Sequence, residues 1–292
     1  MAWSAQQPVN ELQSHVATSS EDGTSKLLDE YIGQQRIQLM QQRIPLGPHD
    51  LCLIQPADVD AVIDMYIAAG HEERDPYWAR PWPSALALGR YILEHPQYAR
   101  DRSVCEVGAG LGISSIAALL AGAEHALLTD REPLALECGV RSARASGVPG
   151  VAETLSFEHV TKLLSPLPSS KMRAAFLDWS EGYTGPKFDL VLACDVLYED
   201  FSVEPLGRLL PQLLSDNGQI LLADPSERTR HNREYFVDMM LSQTERPLLL
   251  EECLAVQEEM DGKTHSVEVL RFRFRQGTET VGVKTVRRDL HA

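Results

Sequence analysis

The run from Val104 to Gly112, read Val-Cys-Glu-Val-Gly-Ala-Gly-Leu-Gly, is where residue types and spacing first suggest chemistry. A short apolar strand enters Gly108, Gly110 and Gly112, and an Ala/Leu-rich helix is expected directly after them. Glycines let a chain turn tightly and allow a ligand to lie against the main chain. The dinucleotide pattern G-x-G-x-x-G would need a glycine at 113, which is Ile113. Glu106 stands two residues before the first glycine, where a carboxylate would oppose a pyrophosphate. S-adenosylmethionine carries no phosphate; its sulfonium and ammonium groups are both compatible with Glu106.

A second acid strengthens this reading. Asp130 closes the next strand, 22 residues after Gly108, where a carboxylate can accept from both hydroxyls of a ribose. Its competing role is a helix N-cap ahead of Pro133. Asp178-Trp179 closes the third strand at the edge of the same crevice. The indole could cover an adenine face and Asp178 could bond the adenine amino group; the plainer alternative is a core Trp at a strand end.

These residues need a parallel α/β scaffold. From Ser103 the pattern alternates strand and helix, with strands expected at 104–107, 126–129, 174–177, 188–194 and 219–223. Helices are expected at 84–93, 112–121, 133–146, 205–214 and 233–241, the fourth ending at a cap formed by Asn217-Gly218. Asp261-Gly262 suits the turn of an antiparallel hairpin between 248–257 and 265–274. Parallel strands that end in such a hairpin describe a Rossmann-like, seven-stranded α/β sheet. Before it, 25–40 reads as a short helix, 43–54 as extended and 58–69 as a helix, leading to a Pro/Trp-rich loop after Pro76. The organisation expected is a disordered tail at 1–24, an arm at 25–102, the core at 103–275 and a tail at 276–292. Residues 147–171 show no clear periodicity and read as an insertion or an irregular crossover.

Composition bounds the function. The 292 residues include 42 acidic and 27 basic side chains, a net charge of −15. Such a surface repels phosphate backbones, so nucleic acid is not expected as a partner, and a basic protein surface would be attracted. Acidity that serves solubility alone is the competing reading. No stretch approaches the ~18 consecutive apolar residues of a membrane span, so a soluble chain is expected. The start shows neither a signal nor a transit peptide pattern. Cys52, Cys105, Cys138, Cys194 and Cys253 have no CxxC spacing and read as free thiols of a reducing compartment, the cytoplasm with the nucleus open. His71-Glu72-Glu73-Arg74 lacks the second histidine of a zinc motif, and no metal site is expected. The Arg/Phe alternation at 271–275 fits an amphipathic last strand.

With these residues in view, the sequence resembles the class I methyltransferases of methyltransferase family 16, whose characterised members are mainly protein lysine methyltransferases. The resemblance runs from about Ile44 to Phe274. It rests on Tyr77-Trp78 with Trp82-Pro83-Ser84-Ala85, on 106–112, on Asp130, on Leu177-Asp178-Trp179 and on Asp195-Val-Leu-Tyr198, an Asp-x-x-Tyr motif after the fourth parallel strand. The resemblance implies methyl transfer at Asp195 and Tyr198, and a Trp82 that packs on the cofactor and shapes the acceptor channel. Cys194, immediately before the motif, joins the cofactor-contacting set. The segment Asp224-Pro225-Ser226 follows the fifth strand and is not the Asn-Pro-Pro-Tyr type motif, which belongs after the fourth.

The chemistry so implied is in-line displacement at carbon, dominated by positioning. A lysine acceptor has a reference pKa of about 10.4 and must first lose a proton. A dry aromatic channel lowers that value while Asp195 raises it, so Asp195 is expected to bind and orient the amine, with Tyr198 walling the channel. A small-molecule N-methyltransferase and a non-catalytic binding module are the rival readings. Oligomeric state is left open.

Overall fold

The computed structural model describes residues 25–33, 36–151, 158–159, 170–243, 246–277 and 279. The tail expected at 1–24 lies outside them, as do most of 276–292 and most of the aperiodic stretch 147–171.

Strands β4 (Ser103–Val107), β5 (His125–Asp130), β7 (Met172–Phe176), β8 (Phe188–Cys194) and β9 (Leu214–Pro225) run parallel, and β10 (Leu248–Met260) with β11 (Lys263–Phe274) closes the sheet antiparallel. The order is β10-β11-β9-β8-β4-β5-β7, and a two-residue strand, β6 (Glu158–His159), adds to the β7 edge. This is the expected seven-stranded α/β sheet with one short extra strand. Both of its faces are buried, so its central strands alternate between two cores. On β8, Leu190, Leu192 and Cys194 enter one apolar cluster while Val191 and Ala193 enter the other. Helices α2 (Pro83–Glu94), α3 (Ile113–Leu120) and α4 (Pro133–Ala145) supply the first cluster, and α5 (Asp200–Leu213) with α6 (Arg230–Ser242) supplies the second.

From β4 the chain steps outward through β5 to β7 and then crosses back to β8, on the other side of β4. That reversal places a crevice at the carboxyl ends of these neighbouring strands, where open α/β sheets bind ligands.

Two expectations fail. Residues 25–40 are not a helix: β1 (Ser25–Ile32) and β2 (Ile37–Leu46) form an antiparallel hairpin, which β3 (His49–Pro56) extends. Ile37 and Leu39 are buried on either side of exposed Gln38, a period-two pattern, and Gly33 and Arg36 turn the chain at positive φ. The Asn217-Gly218 cap is also absent. Helix α5 ends at Leu213 and β9 begins at once, with 217–218 lying in a register irregularity against β8. A side chain at Gly218 would meet the Phe188 carbonyl oxygen at 2.8 Å, so glycine serves close approach there. The Asp261-Gly262 turn is as expected, both residues being at positive φ.

The arm does not stand apart from the core. Ser142 Oγ on α4 accepts from the Ile54 N–H at 2.8 Å, and Ser146 Oγ accepts from the Cys52 N–H at 2.9 Å. Leu39, Leu51 and Leu53 share one apolar cluster with Leu88, Ile116 and Leu136. Helix α1 (Val59–Ala68), capped by Asp58, then brings Tyr66 toward the crevice. No described helix is long and apolar enough to cross a membrane.

Candidate active site

The crevice is a cavity of about 550 Å³. Glu106, Gly108, Gly110, Asp130, Asp178 and Trp179 line it from the strand ends, and Cys194, Asp195, Tyr198 and Trp82 line it from the other side. Gly112 is not on the wall. It sits at the N-cap of α3 at φ 73°, where a Cβ would fall 2.7 Å from Leu128 Cδ2.

The glycine loop is shaped by what surrounds it. Gly108 has φ 64°, and a Cβ there would fall 2.8 Å from Trp179 Cζ2 and 3.0 Å from Val196 Cγ1. Glu106 is buried, and its Oε2 accepts from the Ser115 N–H in the first turn of α3 at 2.9 Å. Burial pushes its carboxyl up to about 7, against the opposing pull of the Ser115 hydrogen bonds. Cys194 Sγ lies 3.0 Å from Ser114 Oγ, so β8 is tied to the same turn.

Asp130 organises the loop rather than the helix. Its Oδ2 accepts from the Gly110 N–H at 2.9 Å and its Oδ1 from the Glu132 N–H at 3.0 Å. Glu132, not Asp130, occupies the N-cap of α4. Each carboxylate oxygen has a second lone pair, which leaves Asp130 able to accept from a diol. Its burial raises its pKa. Asp178 accepts from the Ser180 N–H at 2.9 Å and the Ser180 hydroxyl at 2.6 Å, and these bonds hold it below the usual carboxylate range.

The Pro/Trp-rich loop is held over the crevice by a buried chain of polar groups absent from the sequence reading. Trp78 Nε1–H donates to the Tyr66 hydroxyl at 2.8 Å, which donates to Glu132 Oε2 at 2.9 Å; Arg74 Nη1 donates to Glu132 Oε1 at 3.2 Å. Further along, Trp82 Nε1–H donates to the Tyr77 carbonyl at 2.6 Å. The Tyr77 ring meets Trp82 edge-on at 6.0 Å and Tyr198 at 5.4 Å. Three aromatic rings therefore form one wall of the mouth.

Asp195 has φ 53°, a left-handed conformation that Asp tolerates better than most residues. Its N–H donates to the Ala223 carbonyl at 3.0 Å, which places the strained residue between β8 and β9. The carboxylate is buried and Oδ1 pairs with Arg228, a residue with no role in the sequence reading. Oδ2 has no hydrogen-bond partner among the described residues. Burial raises the Asp195 pKa, opposed by Arg228 and then by the neighbouring Ser84 hydroxyl. The Arg228 guanidinium also lies over the Trp82 ring, 5.3 Å from its centre. Asp224 has a different part. It is fully buried, bonded to Thr229 and paired with Arg233 at 2.9 Å, and Arg233 in turn pairs with Glu268 at 3.0 Å. Among the described residues no three His, Cys, Asp or Glu side chains gather as a metal site.

A family model described as "Lysine methyltransferase" matches residues 152–243. The chain is 32% identical over 152 residues to the electron transfer flavoprotein beta subunit lysine methyltransferase of Mus musculus, covering 52% of this chain and 51% of that one. It is 36% identical over 81 residues to the protein N-terminal and lysine N-methyltransferase EFM7 of Cryptococcus neoformans, covering 25% and 27%. The chain thus spans about half the length of the first of these relatives and about a quarter of the second. The crystal structure of SMU.776, described as a methyltransferase and complexed with SAH, superposes at a TM-score of 0.52 and 10% identity over 80% of this chain and 55% of that one. With the sheet order, the chain has the class I, Rossmann-like methyltransferase fold, and its segment 152–243 is similar to the family described as lysine methyltransferase.

Proposed function

We propose that this protein is an S-adenosylmethionine-dependent N-methyltransferase that modifies a lysine side chain of a protein. The observation that carries the reading is the juxtaposition, in one 550 Å³ crevice, of a carboxylate-lined glycine loop and an aromatic mouth ending on Asp195. The donor set fits the cofactor. Asp130 presents acceptor capacity for a ribose diol, the absence of a side chain at Gly110 keeps the loop open, and Glu106 favours a cationic ligand over a phosphate. Trp179 and Asp178, at the end of the strand beside Asp130, are placed to receive an adenine. When bound, S-adenosylmethionine supplies a methyl group on a sulfonium.

The chain's own residues then have separate tasks. Trp82, Tyr77 and Tyr198 exclude water from the mouth and offer ring faces to a cation. Asp195 holds the arriving ammonium and aligns its nitrogen, after which the proton leaves to solvent. Alignment is the main contribution to rate. The rim supports a basic acceptor: Glu73, Asp75 and Glu199 line the cavity, and burial together with Asp75 and Asp200 raises the Glu199 pKa. Exposed Phe201 stands among them, suited to contact a protein surface. All five cysteines are free, which fits a reducing compartment, and we place the protein in the cytoplasm with the nucleus open.

The test is incubation with radiolabelled S-adenosylmethionine and cell extract, followed by hydrolysis of the labelled product. Label in methylated lysine of a protein band is expected, whereas label confined to soluble metabolites refutes the protein-lysine reading. Asp195→Asn, which keeps a residue tolerant of positive φ, should lower turnover by two orders of magnitude or more while the fold and SAH binding persist.

A further inference from the structure

The occupant of Asp195 in this structure is Arg228, from the turn between β9 and α6. A buried carboxylate beside an aromatic face is a receptor for a cation. Arg228 satisfies both parts of it, pairing with Asp195 Oδ1 and lying 5.3 Å over Trp82. Arg80 shares the Trp82 ring at 4.6 Å, but it is Arg228 that reaches the carboxylate. The Asp195 side chain is 8% exposed, yet that of Arg228 is 51% exposed. The pair is therefore asymmetric, with the acid fixed in the wall and its cation at the solvent side.

We infer that Arg228 is a built-in, displaceable stand-in for the acceptor's cation, and that the incoming ammonium must replace it at Asp195. This rests on the reading above in placing the acceptor at Asp195. A half-exposed arginine loses little when it swings into water, where it stays charged and hydrated. The buried carboxylate, in contrast, is costly to leave without a counter-charge. Only a group that brings its own positive charge can take the place of Arg228 without that cost. Arg228 thus selects for cationic side chains and against neutral amides of similar length, and it lowers the apparent affinity for the acceptor by the fraction of time it occupies the site.

NMR titration with N-acetyl-lysine methylamide tests this on the full chain, with and without saturating SAH. If Arg228 holds the site for about nine-tenths of the time, Arg228→Met should bind the probe roughly tenfold more tightly than wild type. Adding Asp195→Asn to that variant should abolish the gain, and the uncharged N-acetyl-norleucine methylamide should show no gain in either. Arg228→Gln should reproduce the effect, which guards against a folding defect particular to Met. Unchanged or weaker probe binding in folded Arg228→Met and Arg228→Gln overturns the inference. The SAH titration is read separately. Failure of every variant and of wild type to bind SAH would sink the cofactor reading, while a gain in probe affinity would still support displacement.

Discussion

The Gly110 backbone N–H donates to Asp130 Oδ2 at 2.9 Å, so the second glycine of the loop and the acid that closes β5 form one unit. The side chain proposed to receive the ribose therefore also sets the shape of the loop beneath it. Asp130→Asn keeps the size but replaces one acceptor oxygen by a donor, which faces either the Gly110 N–H or the Glu132 N–H. SAH affinity should fall by about 2 kcal/mol, read by calorimetric titration. Wild-type affinity in this variant would remove Asp130 from the cofactor site.

Tyr66 is 66 residues from Glu132 and 12 from Trp78, yet its hydroxyl joins the two inside the protein. Tyr66→Phe leaves the Trp78 indole N–H and one Glu132 oxygen without that partner. A loss of ~1–3 kcal/mol in urea unfolding is expected. Because this chain positions the Pro/Trp-rich loop, KM for the cofactor should rise as well. A variant with unaltered stability and KM would mean that the loop is held by its apolar contacts alone.

Glu106 supplies a prediction in pH. Its folded pKa is raised from 4.5 to about 7 by burial, so the native state holds the proton more tightly than the unfolded chain. The sign follows directly: this group's contribution to stability is lost as pH rises from about 4.5 toward 7, and the full cost is present above 7. Glu106→Gln retains an acceptor for the Ser115 N–H and cannot ionise. Relative to wild type, the variant should gain stability between pH 5 and pH 8, by up to ~3 kcal/mol. Thermal melts at the two pH values check this, and a difference independent of pH would show that Glu106 does not titrate in that window.

The sequence alone determined whatever depends on a few neighbouring residues. Three glycines at alternate positions dictated a positive-φ loop after β4, apolar runs dictated strands buried on both faces, and Asp261-Gly262 dictated a tight hairpin. The positions of Asp130, Asp178 and Asp195 at strand ends followed once those strands were legible, because a parallel sheet gathers such ends on one edge. The tertiary structure decided the rest. The stretch 25–40 is ambiguous by local preference, and it became a hairpin because β2 pairs with β3 and buries Ile37 and Leu39 against the core. Leu214 turned from helix to strand because pairing with Phe188 on β8 outweighed the local stop signal at Asn217-Gly218. Arg228 met Asp195 across 33 residues, and Tyr66 met Glu132 across 66, through contacts that no periodicity encodes. Such pairs form only after β9 and α1 dock, because a buried polar group takes whichever partner the packed elements bring within reach.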